Sequence, residues 1–297
     1  MIYKITHSTT YIYETPVAVC HNLVMLTPRD DGNVRSLSHR LTIRPTPPIS
    51  ARRKDFFGNS VHSFSTEENH KQLTVTATSR VQVSPPNLPA DETTVSWERV
   101  VHALKEQQDP NWLSVCPFQY DSPRVRRNTD FESFSKESFS PERPVLAAVR
   151  DLTTRIYGHF KYDSKATHVG TPTEDAFKLA RGVCQDFAHV QLACLRSIGI
   201  PARYVSGYLR TNPPPGKPRL IGADQSHAWV AAYCGPDLGW VDVDPTNNCL
   251  CSTDHITIAW GRDYGDVAPI RGVFLGGGHH QLLVSVDVHP ETEQPPS

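Results

Sequence analysis

The stretch Arg181-Gly182-Val183-Cys184-Gln185-Asp186-Phe187-Ala188-His189 decides how the rest of the chain is read. Gly182 sits in a loop. From Cys184 to Ile198, positions Phe187, Ala188, Gln191, Cys194, Leu195 and Ile198 fall along one face at helical spacing. Gly199 followed by Pro201 stops that helix. Cys184 therefore stands at a helix N-terminus, where unpaired backbone N–H groups and the positive dipole end favour a thiolate. The same donors suit part of an oxyanion hole beside a nucleophile. A free cysteine more commonly fills a core as a small hydrophobe. Cys194, inside the apolar stripe, is read that way.

A thiolate nucleophile needs a histidine to take and return protons, and it comes from elsewhere in the chain. Of fourteen histidines, His227 in Asp224-Gln225-Ser226-His227-Ala228-Trp229 is the best placed. It opens a strand after a polar loop, so its ring reaches a cleft while Val230 and Ala232 pack. His189 shares the helix of Cys184 but points about 140° away, since each residue turns about 100°; it reads as a satisfied helix histidine. The pair His279-His280 has no third ligand at metal spacing. Cys234, Cys249, Cys251 and His255 form no standard zinc pattern either.

The carboxylate that orients the imidazole is sought in Trp240-Val241-Asp242-Val243-Asp244-Pro245-Thr246-Asn247. Alternation puts Trp240, Asp242 and Asp244 on one strand face and does not choose between the two aspartates. Hairpin register bears on it. If strands 227–234 and 240–244 pair with Cys234 opposite Trp240, His227 and Asp244 face opposite sides of the sheet. An odd shift, with an effectively four- or six-residue loop or a bulge, is required to bring them together. A four-residue loop sets Trp229 opposite Asp244, with His227 diagonally adjacent and Asp242 farther away. Gly235 and Gly239 offer the backbone freedom.

Around this centre the chain of 297 residues is 38% hydrophobic, enough for a core without staples. Its net charge of −1 predicts no nucleic-acid partner and no anionic-membrane attraction. No run approaches the ~20 apolar residues of a membrane helix, and the first residues lack a signal-peptide core. Seven scattered cysteines, an odd number, predict a reducing, cytoplasmic setting. Twenty-five prolines argue for turns and edge strands rather than a helical bundle.

Residues 1–84 read as an antiparallel β-sandwich. Tyr11–Tyr13, Leu41–Ile43 and Leu73–Thr78 are strands, punctuated by Pro28–Gly32, Arg44–Pro48 and Gly58-Asn59. Residues 85–143 form a linker and a partly helical connection, with a helix near Ser96–Gln107. There Arg124, Arg126 and Arg127 read as a solvated loop, the alternative being a carboxylate contact. Residues 144–290 form an α+β core: a helix from Val145, the Cys184 helix, strands Ala202–Leu209, His227–Cys234 and Trp240–Asp244, and a final strand Leu282–Val288. Residues 291–297 read as a flexible tail.

The segments Gly182–His189, Gly199–Tyr208, Ser226–Val230, Gly239–Asn247 and Gly261–Val267 together resemble the core of bacterial transglutaminase-like proteins. His7–Tyr13, Leu26–Arg29 and Asp55–Asn59 resemble the β domain that precedes that core. The resemblance implies a papain-like core in which a cysteine helix packs on an antiparallel sheet. It implies a Cys-His-Asp triad falling on Cys184, His227 and Asp244, with no metal and no cofactor. It implies acyl transfer from a peptide or protein amide to the thiolate, completed by water or by an amine. Hydrolysis is the favoured outcome. A transamidating enzyme, or a non-catalytic binding protein keeping the fold, is the alternative.

Overall fold

A computed structural model describes residues 1–30, 32–211 and 225–291. The chain begins with five strands: β1 (Ile2–Val24), β2 (Val34–Arg44), β3 (Ile49–Lys54), β4 (Ser60–Thr66) and β5 (His70–Val83). Helices α1 (Trp97–Lys105), α2 (Trp112–Val115), α3 (Thr129–Lys136) and α4 (Val145–His159) follow. Next come the short β6 (Lys161–Tyr162), α5 (Thr173–Leu179), the short β7 (Arg181–Gly182) and α6 (Cys184–Ser197). Strands β8 (Ala202–Leu209), β9 (Gln225–Tyr233), β10 (Trp240–Asp244), β11 (Cys249–Leu250) and β12 (His255–Gly261) build a second sheet. The short α7 (Tyr264–Val267) leads to β13 (Ile270–Gly276) and β14 (His280–Glu291).

β1 organises the N-terminal sheet. Its first half alternates, with Tyr3, Ile5, His7 and Thr9 buried and the residues between them more exposed. Its ladder with β5 breaks between Ile12 and Val17, around Pro16, which has no N–H to donate. Past the break β1 pairs β4 instead. The sheet folds there, enclosing Tyr13, Val17, Ile43, Phe64, Leu73 and Val75.

On the other side of β1 lie β13 and β14. This corrects the assignment of residues up to 290 to the second domain: Leu282–Val288 is a strand, but of the N-terminal sheet. The cause is burial. Val286 and Val288 of β14 join Tyr3 and Ile5 of β1 in covering Tyr208, Ile256 and Ile258 of the second sheet. Strand β12 belongs to that second sheet and was not anticipated, although Ile256, Ile258 and Trp260 recur with period two.

The second sheet is antiparallel in order β11-β10-β9-β8-β12, with α6 packed on β9 and β8. Every α6 residue from Gln185 to Arg196 is buried, as befits a helix enclosed by a sheet on one side and α3, α4 and α5 on the other. Arg196 anchors its C-terminal end by donating to the carbonyls of Phe118 (3.0 Å), Ala202 (2.8 Å) and Arg262 (2.5 Å). The expected helix near Ser96–Gln107 is α1, which starts after Ser96 and turns Val100 and Leu104 inward. In the arginine run, Arg126 and Arg127 face water, but Arg124 donates to the Val169 carbonyl and lies over the Tyr264 ring.

Gly207 of β8 is opposite His227 of β9. A Cβ there would stand 2.3 Å from the Ile256 carbonyl oxygen and 2.4 Å from the ring of Trp229, which lies across it. Gly207→Ala should therefore displace Trp229 or separate β8 from β12. A loss of about 1–3 kcal/mol or more in chemical denaturation is the expected outcome.

Candidate functional site

β9 and β10 pair with Trp240 opposite Tyr233, Val241 opposite Ala232 and Val243 opposite Val230. Cys234 N–H donates to Gly239 O (2.8 Å), which closes the hairpin around residues 235–238. Gly235 and Gly239 hold left-handed φ values of 95° and 69°, the region that favours glycine. This is the odd register, reached without a bulge, that allows His227 and Asp244 to share a face.

The two side chains meet. His227 Nε2–H donates to Asp244 Oδ2 at 2.7 Å. Asp242 is engaged elsewhere, accepting from the indole N–H of Trp229 at 3.1 Å. Cys184 opens α6 and lines the same cavity as His227, near enough for its charge to act on the ring. With Nε2 given to the aspartate, Nδ1 is the nitrogen left for the sulfur. Cys184, His227 and Asp244 are thus brought together from one helix end and two adjacent strands.

The turn before Cys184 is tightly held. Val183 N–H donates to Asp186 Oδ2 (2.8 Å), and Thr167 Oγ1–H donates to the same oxygen (2.6 Å). A Cβ on Gly182 would lie 2.3 Å from that oxygen. The glycine is therefore what lets the loop close on its own helix.

Asp244 is fully buried, and both its oxygens are saturated. Oδ1 accepts the backbone N–H groups of Thr246 (2.9 Å) and Asn247 (3.2 Å). Oδ2 accepts from His227, from Asn247 Nδ2 (2.7 Å) and from His255 Nε2 (3.1 Å). Burial opposes ionisation, but the hydrogen bonds from His227 and His255 and the charge of His227 outweigh it, so the carboxyl is held well below its usual range. Burial also opposes a charged His227. Hydrogen bonds to Asp244 and Cys184, with the charge of each, more than compensate and raise the imidazole to about 10.

His255 is the member that sequence reasoning missed, having been weighed only as a metal ligand. Its Nδ1 accepts the Ser252 N–H (3.5 Å), leaving Nε2–H to point at Asp244. The ligand atoms of His227, Asp244 and His255 lie within 4.8 Å of one another, and hydrogen bonds through the shared Oδ2 account for that closeness. The cysteines once grouped with His255 do not converge: Cys234 packs in the core against α6, and Cys251 beside Trp229 on the other face of the sheet. His189 is buried and accepts the Tyr264 N–H (3.2 Å), as expected of a satisfied helix histidine. His279 and His280 lie at the β13–β14 corner, and neither lines the cavity of Cys184 and His227.

A cleft of about 340 Å³ opens onto Cys184 and His227. One wall comes from the second sheet and α6, through Gln185, Tyr204 and Ala228. The other comes from the N-terminal sheet, through Tyr11, Leu282 and Val284.

Comparison with known proteins agrees with this architecture. Residues 3–82 match the family described as the bacterial transglutaminase-like N-terminal region, and residues 132–245 match the transglutaminase-like superfamily. An uncharacterised protein of Mycobacterium tuberculosis is 38% identical over 97% of this chain and 92% of its own length. A protein-glutamine gamma-glutamyltransferase of Pseudomonas aeruginosa is 29% identical over 51% of this chain and 22% of its own. Among solved structures, a candidate cysteine protease from Cytophaga hutchinsonii superposes with a TM-score of 0.75 at 21% identity, covering all of this chain and 93% of that one. That similarity is one of fold.

Two outcomes follow from the electrostatics. His227 is raised above its ordinary 6.5, so its contribution to stability is full below about pH 6.5 and is lost as pH rises through about 10. Asp244 is depressed below its ordinary 3.8, so its contribution is present above that value and is lost as pH falls. The gap in Tm between wild type and Asp244→Asn should therefore be widest between about pH 4 and pH 6.5 and shrink on both sides. Separately, His255→Leu removes one donor from a buried carboxylate and should cost about 1–3 kcal/mol in urea denaturation. His255→Gln, whose amide can still donate, should recover most of that loss.

Proposed function

Because the chain belongs to the transglutaminase-like superfamily, we propose that it is a cysteine-dependent amide-processing enzyme working through Cys184, His227 and Asp244. The observation that carries this reading is the hydrogen-bonded His227–Asp244 pair sharing one cleft with Cys184 at the start of α6. In the first half-reaction the Cys184 sulfur attacks an amide carbonyl carbon. The C–S bond forms as the C=O π electrons move onto oxygen. Asp186 and Phe187 N–H donate to the Val183 carbonyl, so the N–H groups of Cys184 and Gln185 are the ones at this helix start that suit that oxyanion. Collapse breaks the C–N bond, and His227 gives its proton to the leaving amine. A thioester remains. In the second half-reaction His227 takes a proton from water, the hydroxide adds to the thioester, and the C–S bond breaks to give the acid and the free cysteine. Asp244 holds the ring in place and stabilises the imidazolium throughout.

Hydrolysis is the preferred second half because water reaches any site that does not exclude it. Transamidation, with an amine in place of water, is the other outcome. It is favoured by the local similarity to a protein-glutamine gamma-glutamyltransferase. Seven free cysteines fit a reducing compartment, and the cytoplasm is the setting we assign.

Iodoacetamide at neutral pH should alkylate Cys184 well ahead of the other six cysteines. Turnover of peptide amides, scored with and without an added primary amine, should fall at least about a thousandfold in Cys184→Ala with its melting curve unchanged. It should fall as far in His227→Ala, whose Tm drops because buried Asp244 loses a donor. Uniform slow labelling of all seven thiols, or turnover that survives Cys184→Ala, would identify a binding protein that merely keeps the fold.

A further inference from the structure

One wall of the cleft belongs to the N-terminal sheet, and its composition says what it is made to hold. On β1 the residues Tyr3, Ile5, His7, Thr9 and Tyr11 share one face. On β14 their cross-strand partners are Pro290, Val288, Val286, Val284 and Leu282. The lower part of this stripe is sealed: Val286 and Val288 are buried against Tyr208 and Ile256 of the second sheet. The upper part is not. Beyond Val286 the stripe runs out of the inter-sheet contact into the cavity of Cys184 and His227, where the Thr9–Val284 and Tyr11–Leu282 pairs line it. Leu282 and Val284 are 51% and 54% exposed.

Among the described residues, charge in this lining is confined to Cys184 and His227. Among the described residues around the cavity there is no Asp, Glu, Lys or Arg. The second imidazole, His7, is bonded through Nδ1 to the Tyr208 hydroxyl (2.8 Å) and through Nε2 to Thr9 Oγ1 (3.0 Å). Burial pushes it down to about 4, so it is neutral. The backbone supplies a further feature. Among the described strands β14 pairs only with β1, and its residues 280–285 are all exposed, so over this stretch no described strand occupies its outer edge. An extended chain laid on such an edge gains ladder hydrogen bonds, while alternate side chains enter the pockets beside it.

We propose that this wall is the acyl-side subsite of the enzyme, taking an extended peptide whose side chain next to the attacked amide is uncharged and apolar. Tyr11, Ile270, Leu282 and Val284 set that preference. The assignment rests on the cysteine-dependent reading above, with Cys184 as the reacting atom of the same cleft. A charged side chain is disfavoured because it would give up its hydration to the aliphatic carbon of the β1–β14 wall, which carries no charged side chain among its lining residues.

The experiment is protection of Cys184 from iodoacetamide, followed by mass spectrometry on the full chain. The competitors are short peptide amides carrying Leu, Phe, Glu or Lys at the acyl position. Protection is the ratio of alkylation rates without and with peptide, taken within each protein so that intrinsic thiol reactivity cancels. In the wild type, Leu and Phe peptides should protect at least about tenfold better than Glu or Lys peptides. Leu282→Thr combined with Val284→Thr, both at exposed strand positions, should abolish most of that difference. Leu275→Ser, exposed on β13 and outside the cavity, should retain it. Equal protection by all four peptides, stronger protection by Glu or Lys, or a full apolar preference surviving in the double variant overturns the subsite. If Cys184 alkylates no faster than the other cysteines, the cysteine-dependent reading itself fails, a result separate from any ranking of peptides.

Discussion

The Asp244 carboxylate is the constraint on which the rest of the site depends. A fully buried anion is tolerated only when its oxygens are saturated, and here five donors converge on the two. They come from β9, from the turn after β10 and from β12, so three segments of chain are fixed by one functional group. The register of the β9–β10 hairpin is part of the same constraint. A one-residue slip would rotate Asp244 onto the face occupied by Val241 and Val243, against the core beneath α6. The unfavourable alternative is therefore steep, and His227 is held in the cavity that Cys184 also lines as a by-product of keeping a charge satisfied.

Much of this was legible in the sequence because it is carried by local signals. Cys184 is marked by a glycine-bearing loop and an apolar helical stripe, and Gly182 proves to be needed for the loop to approach Asp186. The register could be argued from loop length and from two glycines that do adopt left-handed backbone. The choice between Asp242 and Asp244 was harder, since alternation treats them alike. It is resolved by Trp229, whose indole engages Asp242. His255 was not legible in its role. Its partner is on another strand, and the nearby Cys249 and Cys251 drew attention to metal chemistry, although the period-two pattern of β12 was available. The C-terminal strand illustrates a more general limit: Leu282–Val288 announces a strand by composition, but the strand it pairs with, β1, lies more than two hundred positions away.

The N-terminal sheet is more than an appendage. Through Tyr3, Ile5, Val286 and Val288 it covers the back of β8 and β12, and through the continuation of the same stripe it forms a wall of the cleft. The contact that holds the two sheets together and the surface presented to a substrate are thus one run of alternating side chains. The chemistry at the start of α6 and the shape of what reaches it are set by different parts of the chain.

The pairing of β1 with β14 also imposes an order on biosynthesis. β1 leaves the ribosome early, with β5 soon available to cover one of its edges, but the strands for the other edge emerge only after the whole second sheet has been made. Until then a long strand stands with an open ladder and with Tyr3 and Ile5 uncovered, a species prone to pair with a neighbouring nascent chain. The N-terminal unit is therefore first in sequence but among the last to complete, and its closure coincides with the completion of the cleft. A chain caught before β14 is synthesised carries Cys184, His227 and Asp244 yet lacks half of the groove in which they operate.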